Sequence, residues 1–328
     1  AVNKNIYGRE PLNRVREIST LRDMLDSSCE LFAERTAFLR KTDKNSPYEE
    51  ISYSTLKKDV YAFATGMISR GYKDKKTAII SENRYEWAVA YLSVVCGTGT
   101  VVPIDKELPF EEIKRLLDFA EVSAVICSKN VLKQNPQLSD CGISCICMDD
   151  AEDTQSFCEI TEEGKMLLNN GDTAFAGSIP DSDDVNILLF TSGTTGNPKG
   201  VMLSHRNICS NIMNICAVFK ITEEDRVFSV LPLHHTYECT CGFLCEIYAG
   251  SSIVYCQGLK HILKNMQETS PTMFFMVPLI IKSIYRVLNK SIDKLGMRRR
   301  IELGLKISRA FLKVGIDLRR LLFRDIIN

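Results

Sequence analysis

Between Thr77 and Cys127, short β-branched runs alternate with segments of helical period, and this alternation restricts the folds open to the chain. Residues 77–80, 100–104 and 122–127 read as strands, and residues 84–96 and 109–120 read as helices. The first helix ends at Gly97 and the second opens on Pro109, the usual stop and start residues. Strand, helix, strand at this spacing implies parallel pairing through crossover helices. The expected class is α/β, with parallel-sheet layers covered by helices on both faces.

The flanking segments fit the same class. Thr20 with Asp23 forms a capping-box pattern for a helix to about Arg35. Residues 36–40 and 48–53 read as a hairpin, and Ser54 as the cap of an amphipathic helix stopped by Gly71. Further on, residues 143–148, 226–230, 252–255 and 271–276 read as strands, with helices over 204–218 and from about 239 to Gly250. The 328 residues suffice for two modest domains or one large α/β unit.

Charge excludes some functions. Lys plus Arg equals Asp plus Glu at 41 each, so no global basic field is present to hold nucleic acid. No apolar run reaches the ~18 residues of a membrane span, and no signal peptide is visible. Thirteen cysteines include no Cys-x-x-Cys pair. Their even spacings, Cys145 to Cys147 and Cys239 to Cys241, read as one face of a strand, where cysteine is a small hydrophobe. Free thiols in a reducing cytoplasm are expected, rather than zinc or disulfides.

One loop stands apart chemically. The apolar run 187–190 leads into Thr191-Ser192-Gly193-Thr194-Thr195-Gly196-Asn197-Pro198-Lys199-Gly200, and Val201-Met202-Leu203 then resumes β character before Ser204 caps a helix. The glycines allow backbone N–H groups to turn inward and form a concavity for an anion. Hydroxyls of Thr191, Ser192, Thr194 and Thr195 add donors, and Lys199 adds a point positive charge. A polyphosphate needs this combination. A plain polar hairpin turn is the simpler reading, but such a turn needs no lysine fixed behind a proline. The loop is not a Walker loop either, since no Gly-Lys-Ser/Thr follows the strand. Asp181, Asp183 and Asp184 precede the strand and should lie at its opposite end, away from the loop.

The order Thr-Ser-Gly-Thr-Thr-Gly-x-Pro-Lys-Gly resembles, at every fixed position, the phosphate loop of the AMP-forming acyl-CoA synthetase superfamily. Leu231-Pro232-Leu233-His234-His235-Thr236-Tyr237-Glu238 resembles the second core motif of those enzymes. Gly97-Thr-Gly-Thr-Val-Val-Pro103-Ile-Asp105, with Leu108-Pro109-Phe-Glu-Glu112, is similar to an earlier family segment, so the likeness is collinear. By this resemblance the enzyme joins a carboxylate to ATP, releasing pyrophosphate, and passes the acyl group to coenzyme A. The resemblance assigns the β- and γ-phosphates to Ser192, Gly193, Thr194, Thr195, Gly196 and Lys199. It assigns the bridging magnesium to Thr191 and the border of the acyl-adenylate to His235. Glu238 resembles an acidic residue of the long-chain fatty acid members. Lys199 and His235 are the catalytic candidates; His235 and Glu238 are the substrate-binding ones. Delivery to a carrier-protein thiol and a non-catalytic nucleotide-binding module are the alternatives.

Related enzymes also carry a Tyr-Gly-x-Thr-Glu motif, a ribose-binding aspartate, a hinge and a C-terminal lysine, none of which is found in these 328 residues. The expectation is that residues 1–328 form the N-terminal part of the large adenylating domain, with the phosphate loop at 190–200. The rest of that domain and the small C-terminal domain would lie elsewhere, leaving this chain inactive alone. Residues 291–328 read as a basic amphipathic helix striped by Ile301, Leu305, Ser308, Leu312, Gly315 and Leu322. Packing on its own domain is favoured over a membrane surface. The segment also resembles an insert of the long-chain enzymes, and residues 273–281 are apolar enough to line a hydrocarbon tunnel. The expected partners are fatty acid, ATP and coenzyme A, with no nucleic acid. Peripheral membrane contact and a homodimer are left as alternatives.

Overall fold

Residues 77–127 do fold into parallel strands with helices between them. The structure, a computed structural model, describes residues 11–43, 45–149, 151–191, 199–313 and 315–323. It divides into two units, Ala1–Phe275 and Met276–Asn328.

In the first unit the strands are β1 (Thr36–Arg40), β2 (Glu49–Ser52), β3 (Lys75–Ile80), β4 (Gly99–Pro103), β5 (Ala124–Cys127) and β6 (Ser144–Cys147). They continue with β7 (Gln155–Ser156), β8 (Val185–Thr191), β9 (Lys199–Ser204), β10 (Arg226–Ser229) and β11 (Ser252–Tyr255). The larger sheet has the order β7-β6-β5-β3-β4-β8-β9, and the smaller β10-β11-β1-β2. All pairings are parallel except the hairpins β8–β9 and β1–β2. The helices are α1 (Leu21–Leu31), α2 (Tyr53–Ser69), α3 (Tyr85–Ser93), α4 (Phe110–Ala120), α5 (Lys129–Gln134) and α6 (Phe157–Asn169). After them come α7 (Ala174–Gly177), α8 (His205–Val218), α9 (Cys245–Ala249) and α10 (Ile262–Thr269). The main core joins both sheets through buried Phe38, Tyr91, Trp87 and Phe243. A second core beneath α4 gathers Val102, Ile113, Leu117 and Val125.

Several expectations need correction. The first helix stops at Leu31, not near Arg35. Thr20 accepts from Asp23 N as expected, but the Asp23 carboxylate reaches back to Ser19 N rather than to Thr20. The cap of α2 is Ser52, two residues before Ser54, because Tyr53 already turns into the helix to bury its ring. Residues 271–276 form no strand; Met273 makes only an isolated parallel bridge to Val227. Cys145 and Cys147 do share β6, whereas Cys239 and Cys241 lie on a helical turn. All thirteen cysteines are free. Of the apolar run 187–190 only Ile187 is buried; β9 is an edge strand that leaves Met202 70% exposed.

No helix is expected from the sequence at α6, which packs closely against α2 through two glycines. A Cβ on Gly164 would fall 1.8 Å from Ala62 O, and one on Gly66 2.1 Å from Ile160 O. Both obstacles are backbone, so neither can rotate away. Gly164→Ala should therefore cost about 3 kcal/mol, the upper part of the range for overpacking. Urea unfolding checks this, with Gly177→Ala as control because nothing lies within 4 Å of that position. Equal midpoints for the two variants would refute the close-packing account.

The second unit holds α11 (Pro278–Lys294), α12 (Arg298–Leu312) and α13 (Arg319–Leu322). Gly296, at φ 67, makes the turn from α11 to α12. The basic segment is thus helical, but of its expected stripe only Ser308 is buried within α12. Gly304 and Ser308 are the buried residues of α12, while Leu305 and Leu312 are exposed. Phe323 lies over Gly304, where a Cβ would come within 3.1 Å of its ring. Among the described residues, no helix is long and apolar enough to cross a membrane.

Candidate active site

In a parallel sheet every strand delivers its following loop to the same edge, and ligands bind at that edge. Here β3 leads to Asn83, β4 to Asp105 and β8 ends on Thr191. β4 stands between β3 and β8, so one strand spacing of roughly 4.8 Å separates each from it.

β10 of the smaller sheet brings the histidine motif to this edge. His235 N donates to Pro232 O at 3.1 Å, and Cys239 N donates to His235 O at 2.9 Å, closing two consecutive turns. Asn83 holds them from the larger sheet. Its Nδ2 donates to Ser229 Oγ at 3.1 Å and to Leu231 O at 2.7 Å. Its Oδ1 accepts from Leu233 N at 3.1 Å. The His234 ring is nearly buried, with Nε2 3.7 Å from Asp105 Oδ2. Loss of water holds this imidazole down at about 4, against the opposing pull of Asp105, so it is neutral at pH 7. The His235 ring lies against it, centroids 4.2 Å apart, and is exposed.

Glu238 is placed differently from its neighbours. It opens a π-helical segment, Glu238–Leu244, a wide turn that often marks functional sites. The residue is 1% exposed. Ser229 Oγ donates to its Oε1 at 2.6 Å, and its Oε2 has no hydrogen-bond partner. A Cβ on Gly242 would come within 2.7 Å of its carboxyl carbon, so glycine at 242 makes the space the carboxyl occupies. Burial pushes this group up to about 7, the Ser229 hydrogen bond opposing only in part.

Thr191 and Lys199 lie opposite each other as the last pair of the β8–β9 ladder, and both are exposed. The β8–β9 ladder thus closes the base of the connection as a hairpin does. Ser192, Gly193, Thr194, Thr195 and Gly196 lie outside the described residues. Asp183 is paired with Arg206 at the far end of β8, and among the described residues no group of three His, Cys, Asp or Glu could hold a metal.

Comparison with known proteins decides the family. The AMP-binding enzyme model matches residues 25–313. The chain belongs to the AMP-binding enzyme family. Fatty acyl-CoA synthetase B of Dictyostelium discoideum is 29% identical over 300 residues, covering 85% of this chain and 44% of that protein. A chloroplastic long-chain-fatty-acid–[acyl-carrier-protein] ligase of Arabidopsis thaliana is 28% identical over 330 residues, covering 92% of this chain and 44% of its own length. The crystal structure of a long-chain-fatty-acid-CoA ligase from Archaeoglobus fulgidus shares the fold with a TM-score of 0.71 at 19% identity, over 85% of this chain and 55% of that one. This AMP-binding enzyme chain thus spans under half the length of these curated relatives.

Asn83 and Ser229 were not singled out in the sequence, although position offered a signal. Asn83 follows a parallel strand at its C-terminal end, where site residues gather. Nothing local distinguishes Ser229 from an ordinary strand residue, and Gly242 reads as a simple helix glycine.

Proposed function

We propose that this AMP-binding enzyme chain supplies the nucleotide and carboxylate machinery of a long-chain fatty acid–CoA ligase. The observation that supports it most is the anchoring of the histidine motif at the sheet edge that β3 and β4 also reach, through Asn83 and through His234 beside Asp105. A carboxylate is a poor electrophile. One of its oxygens attacks the α-phosphorus of ATP and pyrophosphate leaves; a thiol sulfur then attacks the acyl carbon and AMP leaves. Protein groups do the positioning and stabilise charge on the phosphoryl oxygens.

In this reading Lys199 and the loop N–H groups hold the β- and γ-phosphates, and His235 borders the acyl-adenylate. Thr191 offers an exposed hydroxyl with no carboxylate cluster near it among the described residues. That donor set fits a magnesium ion carried by the nucleotide's own phosphates, which neutralises their charge when bound. Phe275 meets Tyr237, two residues past His235, edge-on, and these rings are apolar surface that an acyl chain beside His235 would touch in this reading. Coenzyme A is the thiol proposed. The carrier-protein ligase among the relatives favours a carrier thiol as the second reading.

The test is adenylation efficiency of the full-length protein against straight-chain acids from acetate to about eighteen carbons. Each buried methylene should add roughly 0.8 kcal/mol, about fourfold in efficiency, for as long as the added chain is buried. A flat profile, or preference for acetate or amino acids, would remove the fatty acid reading. Comparing coenzyme A with an acyl-carrier protein in the second half-reaction separates the two thiols. Absence of any acid-dependent pyrophosphate exchange would leave the non-catalytic module.

A further inference from the structure

The turn that carries His234 and His235 has no regular secondary structure of its own between β10 and the π-helical segment. Something outside it must fix its shape, because a side chain that borders a reacting centre loses its effect when misplaced by about 1 Å. The structure assigns that task to Asn83, a positioning residue that sets the histidine turn from the opposite sheet, with Ser229 linking it to Glu238.

Three contacts make the case, two to backbone atoms of the turn and one to the strand that leads into it. One amide hydrogen of Asn83 meets the carbonyl of Leu231 at 2.7 Å, before the histidines. The amide oxygen receives Leu233 N at 3.1 Å, on the residue next to His234. The other hydrogen reaches Ser229 Oγ at 3.1 Å, at the end of β10. The orientation of the amide is fixed by these partners: a carbonyl must face NH₂ and an N–H must face oxygen. Ser229 Oγ accepts from Asn83, so its own proton is directed to Glu238 Oε1 at 2.6 Å. A chain of aligned donors thus runs from the end of β3 to the first residue of the π-helical segment. No other residue type fits as well. Aspartate has the same shape but neither donor, and would set a carboxylate against the Leu231 carbonyl. Glutamine is longer by a methylene, and serine and histidine cannot donate twice while accepting once in that geometry.

The catalytic half of this inference rests on the proposed ligase reading; the structural half does not. Two measurements separate them. The chain has four histidines and one tryptophan. Imidazole resonances of His234 and His235 report the turn, while those of His205 and His261 serve as internal controls. Trp87 stacks on Tyr91 at 5.1 Å and meets Phe243 of the π-helical segment edge-on at 6.0 Å, so its fluorescence reports that segment. In Asn83→Asp and Asn83→Ala the His234 and His235 signals should shift, with His234 titrating upward toward 6.5, while those of His205 and His261 stay in place. In the full-length protein, kcat for acid-dependent pyrophosphate exchange should fall about 10- to 100-fold with KM for ATP within about twofold, as found when a supporting hydrogen bond behind a site is removed. Should Asn83→Ala fail to fold, Ser229→Ala removes the central hydroxyl alone and should shift the same two histidines less. Unchanged His234 and His235 signals in Asn83→Asp would overturn the positioning role. Shifted signals with unchanged kcat would restrict Asn83 to structure. Absence of exchange in the unaltered full-length protein would count against the ligase reading and leave the histidine result to decide the rest.

Discussion

Replacing Lys199 with alanine in the full-length protein should slow acid-dependent ATP–pyrophosphate exchange roughly 10- to 150-fold, the worth of a charge-assisted contact of about 1.5–3 kcal/mol. Folding should be spared. Lys199 is exposed and enters the structure through its backbone, as the ladder partner of Thr191. Alanine keeps that backbone pairing, so the variant isolates the ammonium group. Lys199→Arg should give an intermediate rate, because the charge is kept while a planar fork replaces a compact donor. The effect should appear mainly with ATP varied, since the lysine acts on phosphate. Exchange at the unaltered rate in Lys199→Ala would sink the assignment of the loop to the triphosphate.

Such a prediction was already available from the sequence, and the reason is chemical. A loop of glycines, hydroxyls and one lysine has little use in a core, so its residue types point to a ligand without any knowledge of packing. The alternating strands and helices of residues 77–127 were legible for a related reason. Fully buried parallel strands need runs such as Ala124–Cys127, and crossover helices need one apolar face, as α4 has with Ile113, Leu116 and Leu117. Features set by distant contacts were not legible. The polar helix α6 depends on Gly164 and Gly66 meeting from distant parts of the chain, which neither segment announces. Residues 271–276 carry strand-like composition, yet only Met273 bridges Val227. The histidine turn showed the limit within the site itself. Its motif pointed to His235, while the residue that holds the turn lies about 150 positions away, as the Leu233–Asn83 contact illustrates.

Glu238 carries the second large expectation, and here stability and function should part. Its carboxyl is pushed up to about 7 from the ordinary 4.5 by burial. A group whose folded value is raised holds its proton more tightly folded than unfolded. Its contribution is therefore fully present below about pH 4.5 and is lost as pH rises through about 7. At pH 8 the folded protein should bear a cost of about 3 kcal/mol for an ionised carboxylate whose Oε2 has no partner. Glu238→Gln removes the charge while keeping an oxygen to accept from Ser229. It should raise unfolding stability by about 2–3 kcal/mol at pH 8 and leave it nearly unchanged at pH 4.5. Chemical denaturation at the two pH values measures this difference directly. A buried carboxyl kept at such a cost, three residues after His235 in the chain, is expected to serve activity rather than folding. The same variant should accordingly lose acid-dependent exchange in the full-length protein. Equal denaturation midpoints at pH 8 would mean that the carboxylate is not desolvated as its burial implies. A stabilised variant with undiminished exchange would instead assign Glu238 to the structure alone.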